Sequence, residues 1–161
     1  MEDKKAVYDL ERLTETQAWA NIWSTCEKVR VGSQIISKKG EKIFGQNRGV
    51  GYNCKTSGCY RKKMYGENSK EHRLPSDCQA VHSEVDAICK AAKKGVSTDG
   101  ATIYVTRYPC EACARAIVRA GITDVVYGRS EDTTEMTDQI FKSAKVNVVH
   151  RREFSAPDDN R

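Results

Sequence analysis

Apolar positions recur with two different periods along this chain, and the changes of period divide it into elements. Residues 14–29 (TETQAWANIWSTCEKV) repeat at helical spacing, with Ala18, Ile22, Cys26 and Val29 on one face and Thr14 as the N-cap. Residues 31–37 and 43–50 read as two strands, and the turn signal Lys39-Gly40-Glu41 between them predicts a hairpin. From residue 80 onward, helical and strand patterns alternate. A helix is predicted over 81–94, burying Val81, Val85, Ile88 and Ala92 and ending at Gly95. A strand over 101–106 and a helix over 110–120, opened by Pro109 and closed by Gly121, come next. A strand over 125–128, a helix over 132–144 and a strand over 146–149 complete the pattern. Strands separated by helices need crossover connections, so an α/β layer fold with parallel strands is expected behind an antiparallel hairpin.

The stretch from 51 to 79 has neither period and is far longer than the usual connection of about 4–6 residues, so it is expected to be functional or internally stapled. At 161 residues the chain is expected to form a single domain, its core at about 14–150, with frayed ends that include the tail SAPDDNR. A hydrophobic content of 39% and a charged content of 30% fit a soluble globular protein. No apolar run approaches the roughly 20 residues of a membrane span, and MEDKKAVYDLERL lacks the apolar stretch of a signal peptide. A cytoplasmic location without a membrane partner is therefore expected. Seven cysteines are many for a reducing compartment, which favours metal ligation over disulfides. The net charge of +5 suits an anionic small molecule or a merely solvated surface. No added basic or aromatic-rich segment is present to hold a polynucleotide.

Two short motifs bear chemistry. Cys110 and Cys113 are three apart at a predicted helix start, so they share one face, and the helix N-terminus favours their thiolate form. Pro109 is tolerated there because the first-turn N–H groups have no intrahelical partner. Taken alone, this pair reads equally as a redox site or a metal site. His82 and Glu84 are two apart and can face one site only if His82 lies in the turn before the helix or in its first residues. Alone, His82 could be structural and Glu84 an ordinary first-turn carboxylate. Together with Pro109-Cys110-x-x-Cys113 they supply three zinc ligands, one carboxylate that does not ligate, and an open fourth position, which is the catalytic rather than the structural zinc arrangement. Zinc lowers the pKa of a bound water to about 7, and a neighbouring carboxylate can shuttle its proton to a ring nitrogen and a departing amine. Nothing in the chain suits hydride transfer or a phosphate-cradling loop.

The pairing of H-x-E with P-C-x-x-C is the signature of zinc deaminases, and the flanking residues resemble one family more closely. Thr25-Cys26-Glu27-Lys28-Val29-Arg30-Val31-Gly32, Gly51-Tyr52-Asn53, His82-Ser83-Glu84-Val85-Asp86-Ala87-Ile88, Ile103-Tyr104-Val105-Thr106 and Pro109 through Cys113 are similar to segments of deoxycytidylate (dCMP) deaminases. Ala120-Gly121-Ile122 and Val125-Val126-Tyr127 extend the likeness to roughly residues 14–150. The resemblance implies a three-layer α/β/α cytidine deaminase-like fold, with a five-stranded mixed sheet and the zinc site at the N-termini of two helices. It implies hydrolytic deamination of dCMP to dUMP with release of ammonia. Asn53 would hydrogen-bond the deoxyribose. Magnesium-dCTP as activator, dTTP as inhibitor and assembly into a homo-oligomer, with a hexamer favoured, are further implications.

Cys54 stands where the family has glycine, Ser83 where it has alanine and Asp86 where it has asparagine. Ser83 is expected near the base edge, and Asp86 to add negative charge near the site. Tyr108, next to Pro109, is a candidate pocket residue, while Arg107 and Arg61-Lys62-Lys63 are candidate phosphate contacts or plain surface. Trp19 and Trp23, four apart, read as core or subunit interface, and His150 belongs to no motif.

A second, structural zinc held by Cys26, Cys59, His72 and Cys78 matches what several members of the resembled family have, and it would staple the long loop. Cys54 could take the place of Cys59, or these could be ordinary reduced thiols. The alternatives to dCMP are another nucleoside, nucleotide or amino-heterocycle of the cytidine, dCTP or guanine type, and a non-catalytic zinc-binding module.

Overall fold

The structure, a computed structural model, describes residues 3–66, 78–130 and 134–156. A central five-stranded sheet has the order β2-β1-β5-β6-β7, with β1 Gly32–Ile36, β2 Lys42–Gln46, β5 Thr102–Arg107, β6 Asp124–Arg129 and β7 Asn147–His150. β1 pairs antiparallel with β2 and β5, whereas β5, β6 and β7 run parallel, so the sheet is mixed. A second, two-stranded sheet joins β3 (Arg48–Gly49) to β4 (Ala80–Val81). The predicted strand over 43–50 is thus two strands, because residues 48–49 leave the main sheet to pair with the segment that leads into the second motif.

Alternation along β5 sorts the core. Ile103 and Val105 join Ile35, Val125, Ala114, Ile117 and Phe141 on one face. Tyr104 points to the other face and packs with Leu13, Val126 and Phe154. Helices α4 (Ser83–Lys94), α5 (Glu111–Arg119) and α6 (Glu135–Ser143) cover the first face, and α1 (Lys4–Trp23) covers the second. The layers are therefore α/β/α.

The first helix departs from expectation. It begins at Lys4, capped by the Asp3 side chain, and ends at Ser24, so Thr14 lies mid-helix and Cys26 and Val29 lie beyond it. Its buried face is Asp9, Leu13, Thr16, Gln17 and Ala20, whereas Ile22 is 68% exposed. Hydrogen bonds explain why apolar spacing hid this face. Asp9 accepts from Tyr104 Oη at 3.0 Å and from both Nε and Nη2 of Arg151. Gln17 donates to the Arg30 carbonyl. A polar side chain so satisfied can be buried at little cost. The Asp9–Arg151 pair and the buried Phe154 also extend the packed structure past residue 150.

The segment read as irregular contains two short helices, α2 (Cys54–Ser57) and α3 (Tyr60–Tyr65). The inner face of α4 is Ser83, Glu84, Ala87 and Ala91, one step round from the predicted Val81, Val85, Ile88 and Ala92. Gly45 on β2 makes that orientation possible. A Cβ there would lie 2.1 Å from the Ser83 carbonyl oxygen and 2.6 Å from the Ala87 nitrogen. Gly45→Ala is accordingly expected to destabilise the fold by about 1–3 kcal/mol or more through overpacking. Thermal or denaturant unfolding checks this, and an unaltered midpoint would mean that α4 is not pressed against the strand.

Candidate metal centre

Two strand-to-helix turns bring the chemistry together. β4 leads into α4, with His82 in the cap position at φ −69° and ψ 152°. β5 leads through Tyr108 and Pro109 to α5, with Cys110 as its cap at φ −72° and ψ 168°. His82 therefore stands just before the helix, where its two-residue spacing from Glu84 lets both face one site. The positive ends of two helices meet there, which favours thiolate over thiol.

His82 Nδ1 lies 3.5 Å from Cys110 Sγ and 3.4 Å from Cys113 Sγ, and the three ligand atoms fall within 4.8 Å of one another. Zinc–sulfur bonds of about 2.3 Å and zinc–nitrogen bonds of about 2.0 Å give tetrahedral N-to-S edges of about 3.5 Å. These spacings, and a donor set of two soft sulfurs with one imidazole, fit zinc rather than magnesium or calcium. Three ligands leave one position open. The hydrogen bond from Cys113, followed by one from His82, pulls the Cys110 thiol down to about 3.

Glu84 is 4% exposed, and burial pushes its carboxyl above the usual range. The carboxyl accepts from Ser83 Oγ at 3.0 Å. The cluster lines a cavity of about 510 Å³. Val81, Val85 and Ala112 supply apolar walls, and Glu111, Arg115 and Thr134 complete the lining.

Other candidates lie elsewhere. Tyr108 is 4% exposed and belongs to the core, edge-on to Tyr127, with its hydroxyl donated to Asp138, so it does not line the cavity. Asn53 is exposed and caps α2 by accepting from the Lys55 N–H. Ser83 is fully buried and points into the sheet rather than toward a base edge. The carboxylate of Asp86 is neutralised by Lys90 at 2.6 Å and accepts from the Gln46 N–H, which ties α4 to β2. Within the basic run, Lys62 is engaged by Glu27 and Lys63 by Ser57 and Tyr52.

Burial, and then the neighbouring thiols of Cys26, Cys59 and Cys78, push the Cys54 thiol upward, which puts these four cysteines in one neighbourhood. His72 lies outside the described residues. Among the described residues, His82, Cys110 and Cys113 form the one group close enough to share an ion.

Glu111, Arg115 and Thr134 were not singled out by motif. Glu111 directly follows Cys110 and Arg115 lies four residues further along α5, so helical spacing alone could have placed them beside Cys110.

This fold, with an imidazole and two thiols gathered at the N-termini of two helices, is that of the cytidine deaminase-like superfamily. The chain belongs to the MafB19-like deaminase family, whose sequence profile matches residues 9–154. It is 34% identical over 128 residues to ComE operon protein 2 of Bacillus subtilis, covering 78% of this chain and 61% of that protein. It is 38% identical over 97 residues to the deoxycytidylate deaminase of Enterobacteria phage T4, covering 57% of this chain and 48% of that one. The chain thus spans about half to three-fifths of these relatives. In fold it matches the dCMP deaminase of cyanophage S-TIM5, solved in complex with dCMP and dUMP, with a TM-score of 0.68, 20% identity, and coverage of 93% of this chain and 99% of that one. Among the described residues no helix is long and apolar enough to cross a membrane.

Proposed function

We propose that the protein is a zinc-dependent hydrolytic deaminase of a pyrimidine deoxynucleotide, converting dCMP to dUMP with release of ammonia. The observation behind this reading is the open His82–Cys110–Cys113 set lining a nucleotide-sized cavity, with the buried Glu84 carboxyl against Cys113. Zinc, when bound by these three side chains, supplies Lewis acidity at the open position. Glu84 takes up the proton of the attacking water on its carboxylate, passes it to the ring nitrogen, and later delivers a proton to the departing amine. A carboxyl raised by burial suits that double duty. Val85 packs against the base. Several relatives named deoxycytidylate deaminase, among them the phage T4 protein, support dCMP as the substrate. Turnover of dCMP, deoxycytidine, dCTP and guanine by the purified protein tests the choice. The expected result is a clear preference for dCMP, and release of ammonia from guanine but not from dCMP would overturn it.

Arg115 is the cation on the cavity wall and makes no ion pair with another described residue, so the 5′-phosphate is assigned to it. Arg115→Ala is expected to lower kcat/KM for dCMP by about tenfold to a hundredfold, the worth of a hydrogen bond to a charged group, and to spare deoxycytidine. Equal losses on both substrates would move the phosphate site elsewhere.

The neighbourhood of Cys26, Cys54, Cys59 and Cys78 supports a second, structural zinc drawing on these thiols and His72. Metal analysis of the parent and of Cys26→Ser tests it: the parent should hold twice the zinc of the variant, and equal contents would exclude the second ion. Regulation by magnesium-dCTP and dTTP in a hexamer belongs to the same reading, and sedimentation with and without those nucleotides tests it.

A further inference from the structure

The geometry assigns Ser33 and Ser83 as positioning residues that fix one oxygen of Glu84 and thereby select the other as the proton carrier. This inference rests on the deaminase reading above. Ser33 Oγ and Ser83 Oγ are 2.6 Å apart, and Ser83 Oγ donates to Glu84 Oε2 at 3.0 Å. A hydroxyl has one proton to give. Since Ser83 spends its proton on Glu84, the short contact with Ser33 must run from Ser33 to Ser83. The chain is therefore directional, from Ser33 to Ser83 to Glu84 Oε2.

Both hydroxyls are sealed from water. Ser33 and Ser83 are fully buried, and each serine crosses from a different layer of the fold: Ser33 from the second residue of β1, Ser83 from the first residue of α4. Ser33 stands in register with Gly45 on the neighbouring strand. The side chain missing at Gly45 is what allows the first turn of α4 to come down onto Ser33. In a buried, low-dielectric setting, successive hydrogen bonds polarise one another, so the second hydroxyl strengthens the bond that the first makes to the carboxylate.

The consequence concerns the reaction. A carboxylate free to rotate presents either oxygen to the substrate. With Oε2 committed to Ser83, Glu84 keeps Oε1 for the proton it takes from water and returns to the ring nitrogen and the amine. The serines neither gain nor lose a proton in the cycle; they hold the shuttle in the orientation from which transfer occurs.

A double-mutant cycle tests this. Ser83→Ala, Ser33→Ala and the double variant are measured for kcat, KM and zinc content on dCMP. The expected result is a kcat lowered about tenfold to a hundredfold in Ser83→Ala, with KM and zinc content unchanged. Ser33→Ala should lower kcat less, and the double variant should be no worse than Ser83→Ala, because Ser33 acts only through Ser83. An unaltered kcat in Ser83→Ala, additive losses, or a loss of zinc with Ser83→Ala would each overturn the assignment. Ser33→Ala changes no residue of α4, so a folding defect confined to Ser83→Ala does not decide the matter by itself: a kcat unaltered in Ser33→Ala then overturns the chain. A parent that deaminates no substrate overturns the deaminase reading as well, whereas an active parent indifferent to both serines overturns this inference alone.

Discussion

Glu84→Gln is expected to lower kcat by about 10²–10⁴-fold while the protein keeps its zinc, its melting temperature and its affinity for dCMP. The substitution preserves shape and removes only the capacity to take up and return a proton. Glu84 is not one of the three ligands, so the ion should remain. The neutral amide also removes a buried charge, which keeps the stability cost small. Steady-state kinetics, metal analysis and ligand binding on one preparation check this. Loss of zinc together with activity would make Glu84 a ligand, and unimpaired turnover would take the proton shuttle away from it.

Cys113→Ser should have the opposite profile, losing the zinc of the His82–Cys110–Cys113 set and all measurable turnover together. Cys113 is 1% exposed and anchored in the first turn of α5, so the smaller oxygen can neither reach the sulfur's position nor supply its softness. Altering an outer partner of a metal ligand typically costs about 10–100-fold, and removal of a ligand itself costs more. Because zinc binding stabilises the folded state, the variant should also melt below the zinc-loaded parent. A zinc content equal to the parent's would mean that another side chain completes the set. Paired with Glu84→Gln, this separates holding the ion from moving the proton.

The second half of the chain was legible because its chemistry and its packing agree. β5, α5, β6, α6 and β7 fall within a few residues of the predicted spans, since apolar alternation in the strands and helical spacing in α5 both face a dry core. The motifs were legible for another reason: imidazole, carboxylate and paired thiols at short spacings have few uses other than binding a metal. What stayed hidden was whatever depends on polar groups satisfied inside. The inner face of α1 presents Asp9, Thr16 and Gln17, which no hydrophobic period reports, and their partners lie far along the chain, as Arg151 does for Asp9. The rotation of α4 depended on Gly45, a single missing side chain on a strand some forty residues away. Tyr108 read as a pocket residue because it precedes Pro109, but its ring fills the space beside Tyr127 and Phe141. His150, which belonged to no motif, stacks on Tyr127 at 4.5 Å and contacts the Gly128 carbonyl. Ser83 read as a residue near the base, and only the three-dimensional contact with Ser33 turns it inward.

The most direct measurement is a zinc titration of metal-free protein in the presence of dCMP, following ammonia and dUMP. Turnover should be absent at the outset, rise in step with zinc bound at His82, Cys110 and Cys113, and vanish again on chelation. Deamination by the metal-free chain, or none by the fully loaded one, would contradict the account.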